Sequence, residues 1–174
     1  MDEPIIDITL VTTGGTIDGA DSDLGTSRHL SDAAKWLQDQ RNIRLVHIPL
    51  LNKDSRLIND GDRRQICDAV HNSTSAHVLV THGTFTICET GRALKAAREQ
   101  LSNLLRTVLL VGAWVPFGEK ASDAPEQLQF AVRKLREGPA GVWIAMDGKL
   151  WNPDTTRKIQ VTQGVYRLSA LHAN

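Results

Sequence analysis

The sequence has little cysteine, no excess of either charge and no long apolar run. Its two cysteines, Cys67 and Cys88, are too few for a disulfide framework or a cysteine-based zinc site. Twenty Lys and Arg residues balance twenty Asp and Glu residues, for a formal net charge of +0. That balance argues against a nucleic acid or an anionic membrane held mainly by bulk charge. No apolar run approaches the roughly 20 residues of a membrane helix, and the acidic N-terminus lacks the apolar core of a signal peptide. We therefore expect a cytoplasmic protein.

Motifs of several common enzyme classes are also missing. The chain has no G-x-x-x-x-G-K-[ST] phosphate loop and no G-x-S-x-G nucleophile elbow, and the Gly14-Gly15 pair alone does not make a dinucleotide fingerprint. The six histidines show no metal-ligand spacing, so no metal site is predicted. The tryptophans are scattered between the expected elements, which favours core or interface positions over a base-stacking platform.

What the sequence does contain is an alternation of short apolar strands and longer helical patterns. Its 174 residues and 41% hydrophobic share suit one domain with a buried core. Strands are expected at 5–11, 43–48, 78–80, 108–111 and 142–146. Helices are expected at 31–40, from 59 or 60 to about 70, from 86, and from 122 or 123. A turn at 147–148 predicts a hairpin with 149–151, and the residues after 158 show no clear period.

This alternation predicts the fold class. Continuous apolar strands separated by helices are typical of an α/β protein with a doubly wound, mostly parallel sheet and helices on both faces. We expect a Rossmann-like or flavodoxin-like sheet with a small C-terminal hairpin. Ligands of such sheets bind outside the carboxyl ends of the strands, so the loops that follow the strands are the candidate site. These loops carry hydroxyls, glycines, acids and bases, which suit a small polar molecule attacked by a hydroxyl.

Two threonines in these loops have both a chemical and a structural interpretation. Thr16 follows Gly14-Gly15, whose backbone can turn tightly and expose N–H groups to an oxyanion, so its hydroxyl is a candidate nucleophile. The alternative is a glycine turn followed by a surface threonine. Thr84 could present its hydroxyl to the site, or it could help to cap the helix that starts near Thr86.

Other candidates have equally plain alternatives. Lys158 could be a base of low pKa beside a second cation such as Arg157, or a solvated surface lysine. Asp54 and Ser55 could bind the charged ends of a substrate, or simply form a turn. His82 could be a ligand, although a lone histidine is more often a hydrogen-bonded structural residue.

Several of these segments, in this order along the chain, resemble motifs of the L-asparaginase (asparaginase/glutaminase) family. The similar segments are 12–17, the Asp54-Ser55 pair, 80–84 followed by Glu89-Thr90, 111–123 and 145–158. Together they extend from about residue 8 to residue 158. Each motif is moderately specific, and five in the correct order indicate homology.

The resemblance implies a reaction and roles for particular residues. The family hydrolyses the side-chain amide of asparagine to aspartate and ammonia without a metal or organic cofactor. Thr16 would attack the amide carbon and form an acyl-enzyme, and Thr84 and Lys158 would relay protons. The substrate-binding set would be Gly15, Asp54, Ser55, Gly83 and Phe85.

The resemblance also implies an organisation. Most members carry a second, smaller C-terminal domain, so residues 1–174 are expected to be a single domain of the N-terminal type without it. The family works as dimers or tetramers, which implies a homo-oligomer with a small-molecule amide as its partner.

Two positions depart from the family pattern. Thr84-Phe85-Thr86 stands where the second signature normally has Thr-Asp-Thr, and the stretch 18–30, expected to be a lid or mobile loop, lacks the family's tyrosine. We therefore carry two main hypotheses. The first is an amidohydrolase acting on asparagine or on a related amide that lacks the amino group or carries an apolar substituent. The second is a weak or inactive homologue that binds a small molecule or serves as a partner subunit. A third possibility is that Phe85 is a deliberate or damaging change.

Overall fold

A computed structural model describes residues 3–19, 31–99 and 106–171. Its main sheet has six strands in the spatial order β2-β1-β3-β4-β5-β6. The strands are β1 (Ile6–Thr12), β2 (Ile43–Pro49), β3 (His77–Thr81), β4 (Thr107–Val111), β5 (Gly141–Met146) and β6 (Lys149–Trp151). The first five run parallel, and β6 pairs antiparallel with β5. This arrangement confirms the predicted fold class, and the order of the parallel strands is the flavodoxin-like one.

Within the described ranges, four α-helices cover the two faces of the sheet: α1 (Asp32–Gln38), α2 (Asp60–Asn72), α3 (Ile87–Glu99) and α4 (Ala124–Glu137). One buried cluster packs α1 and α4 against the sheet, and a second packs α2 and α3 against the opposite face. Ser31 caps α1, and Asn59 forms a capping box with Asp62 at the start of α2. None of the described helices is long and apolar enough to cross a membrane.

The segment after Asn152 contains structure that the sequence pattern did not indicate. Strands β7 (Thr156–Thr162) and β8 (Val165–Ala170) form a separate two-stranded antiparallel sheet, in addition to the predicted hairpin that β6 makes with β5. The pattern is weak because most side chains of both strands are exposed or half-buried and the register shifts between Gln160 and Thr162. Leu168 is buried and packs in the core beside α2 and α3, so it holds the hairpin on the domain.

The loops after β1 and β2 are fixed against each other at the carboxyl edge of the sheet. The Thr12 carbonyl accepts hydrogen bonds from the N–H groups of Leu50 and Leu51, and Lys53 N donates to the Thr13 carbonyl at 3.0 Å. A side chain at Gly14 would come within 2.5 Å of Lys53 N. The turn that carries Thr16 is therefore packed against the segment that leads to Asp54.

Candidate active site

The turn before Thr16 requires glycine for two reasons. Gly14 and Gly15 have φ values of 103° and 87°, a region that other residues rarely adopt. In addition, a Cβ on Gly15 would lie 2.6 Å from the Cα of Gly83. The loops after β1 and β3 thus meet backbone to backbone, and this contact brings Thr16 and Thr84 to one place.

The buried carboxylate of Asp18 stabilises this turn through hydrogen bonds. Asp18 accepts hydrogen bonds from Gly14 N at 2.9 Å, from the Thr81 hydroxyl at 2.7 Å and from the Ser31 hydroxyl at 2.5 Å. Burial raises the pKa of Asp18 to about 6, although these three donors act in the opposite direction. Asp18 therefore ties the Thr16 turn to the end of β3 and to the start of α1. Apart from Asp18 and Gly19, the predicted mobile stretch 18–30 lies outside the described residues.

Thr16 is half-buried and lines a cleft of about 520 Å³ at the carboxyl edge of the sheet. Its hydroxyl donates to the Ala113 carbonyl at 2.5 Å, and its own carbonyl accepts from Phe117 N at 2.8 Å. These bonds fix the residue on the loop that follows β4. In this arrangement the hydroxyl proton is directed to Ala113.

Thr84 and Lys158 form a direct contact in the same cleft. The Nζ of Lys158 lies 2.9 Å from the Oγ1 of Thr84, which is 8% exposed. Burial, together with the positive charge of Arg56, lowers the pKa of Lys158 to about 8, and Asp54 opposes the change. The prediction that Arg157 would be the neighbouring cation is wrong. Successive side chains of a strand point to opposite faces, and Arg157 is exposed.

Asp54 and Ser55 line the cleft and also form the turn that was their structural alternative. Asp54 caps the short 3₁₀ helix Ser55–Leu57, and its carboxylate accepts from the backbone N–H of Arg56 at 2.8 Å and from its guanidinium. Hydrogen bonding to Arg56 holds the pKa of Asp54 below its usual value. The buried Ser55 oxygen accepts from Phe85 N at 3.2 Å, so its own proton remains for another acceptor.

Gly83 and Thr86 complete the contact between these two loops. A Cβ on Gly83 would lie 2.7 Å from the Ser55 hydroxyl oxygen, so the absence of a side chain allows the close approach. The Thr86 hydroxyl donates to the Ser55 carbonyl at 2.6 Å. All eight predicted site residues, Gly15, Thr16, Asp54, Ser55, Gly83, Thr84, Phe85 and Lys158, line the same cleft.

Three further side chains of the cleft escaped the sequence analysis: Arg56, Trp114 and Tyr166. Arg56 follows the Asp54-Ser55 pair directly, and its position in a strand-end loop was the available signal. Trp114 was expected in the core or an interface; it packs partly against the core and also faces Lys158. Tyr166 lies in β8, where the sequence offered no periodic pattern to place it.

His82 has the structural role that was its alternative interpretation. It is buried, its Nδ1 donates to the Gly83 carbonyl at 2.7 Å, and its Nε2 accepts from the Thr90 hydroxyl at 2.8 Å. Burial lowers the pKa of His82 to about 4, so the ring is neutral at pH 7. Over the described ranges, no group of three or more His, Cys, Asp or Glu side chains is arranged to hold a metal ion.

Comparison with known proteins gives a consistent result for most of the chain. Residues 7–166 match the family model described as asparaginase, N-terminal. An L-asparaginase of Thermococcus kodakarensis is 30% identical over 149 residues, which are 82% of this chain and 44% of that protein. A glutamyl-tRNA(Gln) amidotransferase subunit of Thermoplasma volcanium is 28% identical over 147 residues, which are 80% of this chain and 35% of that protein.

Solved structures agree with these sequence matches. The thermostable L-asparaginase of Thermococcus kodakarensis has a TM-score of 0.74 at 26% identity, covering 93% of this chain and 51% of that one. L-asparaginase I of Vibrio cholerae has a TM-score of 0.75 at 22% identity, covering 95% of this chain and 51% of that one. At this identity the similarity is evidence for the fold only. The chain thus spans about a third to a half of the length of the relatives that it matches.

Proposed function

The chain belongs to the asparaginase family, and on that premise we propose that it is an amidohydrolase that hydrolyses the side-chain amide of L-asparagine or of a related small amide. The observation that carries the proposal is the contact of Lys158 Nζ with the Thr84 hydroxyl, in the cleft that Thr16 also lines. A hydroxyl nucleophile needs a nearby group that accepts its proton, and an amine of lowered pKa provides one.

In the proposed reaction Thr16 is the nucleophile. Its hydroxyl first turns from the Ala113 carbonyl towards the Thr84 hydroxyl. Its oxygen then attacks the amide carbon while its proton passes through the Thr84 hydroxyl to the neutral amine of Lys158. The carbon–nitrogen bond then breaks, the proton returns to the leaving nitrogen, and ammonia departs from an ester on Thr16. Water hydrolyses this ester by the same relay and releases the carboxylic acid. With a pKa of about 8, about a tenth of Lys158 is unprotonated at pH 7, and more is unprotonated at higher pH.

The charges of the cleft bear on the substrate. Arg56 and Lys158 are cationic, and the Asp54 carboxylate is bound by Arg56. Phe85, 43% exposed, presents an aromatic ring that offers an ammonium group no ion pair. These features favour an amide that carries a carboxylate and either lacks an α-ammonium group or bears an apolar substituent, with Ser55 available as a hydrogen-bond donor.

Ammonia release tests the proposed function directly. The purified protein is assayed with asparagine, with glutamine and with succinamic acid, which has the carboxylate and the amide but no amino group. We expect release from at least one of them. We expect Thr16→Ala to abolish release, and Thr16→Ser, the matched control, to retain part of it. Unchanged release by Thr16→Ala would exclude Thr16 as the nucleophile.

A non-catalytic role is the second candidate, because Phe85 occupies the cleft and one relative is a component of an amidotransferase. Thermal shifts with asparagine, aspartate and succinamic acid distinguish the two functions. A raised melting temperature without ammonia release would support the binding role. A large gain in asparagine hydrolysis by Phe85→Asp would show that the rest of the machinery is competent.

The same proposal includes the cytoplasmic location that the sequence led us to expect and the homo-oligomeric state that the family implies. Light scattering coupled to size-exclusion chromatography measures the mass in solution. A dimer or tetramer is expected, and a monomer that hydrolyses amides would show that oligomerisation is not required.

A further inference from the structure

Three aromatic rings from separate parts of the chain surround the amine of Lys158. Its Nζ lies 3.4 Å from the ring centroid of Phe85, 4.4 Å from that of Tyr166 and 5.5 Å from that of Trp114. Distances up to about 6 Å are those of a cation–π interaction. We call Phe85, Trp114 and Tyr166 the aromatic cage.

Each residue of the aromatic cage also has a contact outside the cage. The backbone N–H of Phe85 donates a hydrogen bond to the Ser55 hydroxyl oxygen, and the Phe85 ring packs edge to face against Tyr166 with centroids 5.8 Å apart. Tyr166 is paired with Gln160 in the β7–β8 hairpin. The ring nitrogen of Trp114 donates to Asp147 at 2.9 Å. The cage is therefore held by the main loops of the site and by the hairpin together.

We propose that the aromatic cage positions Lys158, holding its amine on the Thr84 hydroxyl through contact with the ring faces. Phe85, Trp114 and Tyr166 are positioning residues in this proposal, because they act through Lys158. The inference rests on the proposed function only in assigning Lys158 the role of the base.

The cage acts on Lys158 in two opposite ways. Ring faces attract a cation and so favour the protonated amine, whereas the exclusion of water favours the neutral amine. The charged groups that share the cleft are Arg56, whose Cζ lies 4.9 Å from the Phe85 ring centroid, and Asp54. Leucine in place of a ring keeps most of the apolar volume and removes the π face. Phenylalanine in place of Tyr166 keeps that face.

The titration of Lys158 tests the cage without requiring turnover. The protein is labelled with ¹³C at the lysine ε carbons, the Lys158 signal is assigned with Lys158→Arg, and its shift is followed from pH 6 to 11. We expect Phe85→Leu and Tyr166→Leu each to lower the pKa of Lys158 by about 0.5 to 1 pH unit, the size of one cation–π contact. We expect Tyr166→Phe to leave it close to the value of the unmodified protein. Phe130→Leu, the same change in α4 away from the cleft, controls for general loosening.

The result that would overturn the proposal is equally specific. An unchanged pKa in both leucine variants would show that the ring faces do not hold the amine. A rise in the pKa would show that the rings act only by excluding water, which also contradicts positioning by the ring faces. Equal shifts in Tyr166→Phe and Tyr166→Leu would exclude the Tyr166 face.

Kinetics separates this inference from the proposed function. On a hydrolysed amide, at a pH at which Lys158 is unprotonated in every variant, we expect Tyr166→Leu to lower kcat by tenfold to about a hundredfold with a smaller change in KM, because a base displaced by about 1 Å loses that much rate. If no amide is hydrolysed, the proposed function fails while the titration still tests the cage. If amides are hydrolysed and the titration shows no ring effect, the cage fails and the proposed function stands.

Discussion

Replacing Asp18 by asparagine tests whether burial or hydrogen bonding dominates beneath the Thr16 turn. The carboxylate is 5% exposed and accepts hydrogen bonds from Gly14 N and from the hydroxyls of Thr81 and Ser31. Three donors favour the charged form, whereas burial favours the neutral form, and burial outweighs them to raise the pKa to about 6. Asp18→Asn keeps the size and polarity of the side chain and removes its charge.

The sign of the effect follows from proton linkage. A carboxyl whose pKa is about 6 when folded and 3.8 when unfolded binds its proton more tightly in the folded protein. Its contribution to the free energy of unfolding is therefore lost as the pH rises from about 4 to about 6, and the loss amounts to about 3 kcal/mol. His82, whose pKa is about 4 when folded instead of 6.5, acts in the opposite direction: stability is lost as the pH falls through that interval. In the unmodified protein these two groups therefore contribute slopes of opposite sign.

The difference in the free energy of unfolding between Asp18→Asn and the unmodified protein isolates the effect of Asp18, because His82 contributes equally to both proteins. Urea unfolding followed by tryptophan fluorescence at pH 4, 5, 6 and 7 gives the free energy of unfolding of each. Between pH 4 and pH 7, the free energy of unfolding of Asp18→Asn should increase by about 3 kcal/mol relative to that of the unmodified protein. Asp60→Asn, at an exposed carboxylate of α2, is the matched control. A constant difference, or a shift that disfavours Asp18→Asn as the pH rises, would refute the dominance of burial.

Further predictions concern the cleft. The kcat/KM for the amide should rise with pH through about 8, since the unprotonated amine of Lys158 is the base. Arg56→Gln should move this rise to higher pH, because the positive charge of Arg56 lowers the pKa of Lys158. A pH profile that Arg56→Gln leaves unchanged would contradict this effect of Arg56. Gly83→Ala should lower the free energy of unfolding in urea by about 1–3 kcal/mol, because its Cβ would lie 2.7 Å from the Ser55 oxygen; full stability would show that the loops separate easily. Thr84→Val should lower kcat by a hundredfold or more and Thr84→Ser much less, measured by ammonia release, and equal rates would exclude the relay.

The parallel sheet was predictable because most residues of its central strands are buried, on both faces of the sheet. Ile8, Leu10, Leu79 and Leu109 are all fully buried, so their segments appear in the sequence as continuous apolar runs bounded by loops. The β7–β8 hairpin was not predictable in this way. Its strands bury few side chains and its register shifts once, so neither a continuous run nor a regular alternation is present.

The candidate site was predictable as a set of loops but not as a set of contacts. The rule that parallel strands present their carboxyl ends at one edge is enough to group Thr16, Ser55 and Thr84. The partners of Lys158 depend on which face of β7 it occupies, and that face is set by pairing with β8. Arg157 was expected beside the amine because the segment was not recognised as a strand, in which neighbouring side chains point to opposite faces.

Phe85 connects the departure from the family pattern with the chemistry of the base. A carboxylate at this position would lie near the Lys158 amine and would raise its pKa, since an opposite charge favours the protonated form. The phenyl ring, 3.4 Å from Nζ, attracts the cation far less strongly, so burial and Arg56 prevail and the pKa stays at about 8. Phe85→Asp therefore exchanges two properties at once, because it adds a partner for a substrate ammonium and removes neutral base at pH 7. Its effect on asparagine hydrolysis must be compared above and below pH 8. Because the α-ammonium of asparagine also loses its proton at about pH 8, the same comparison is made with succinamic acid, which has no ammonium group. If Phe85→Asp removes neutral base, its hydrolysis of succinamic acid should be impaired below pH 8 and recover at higher pH; a rate that is unimpaired at every pH would show that the base is unchanged.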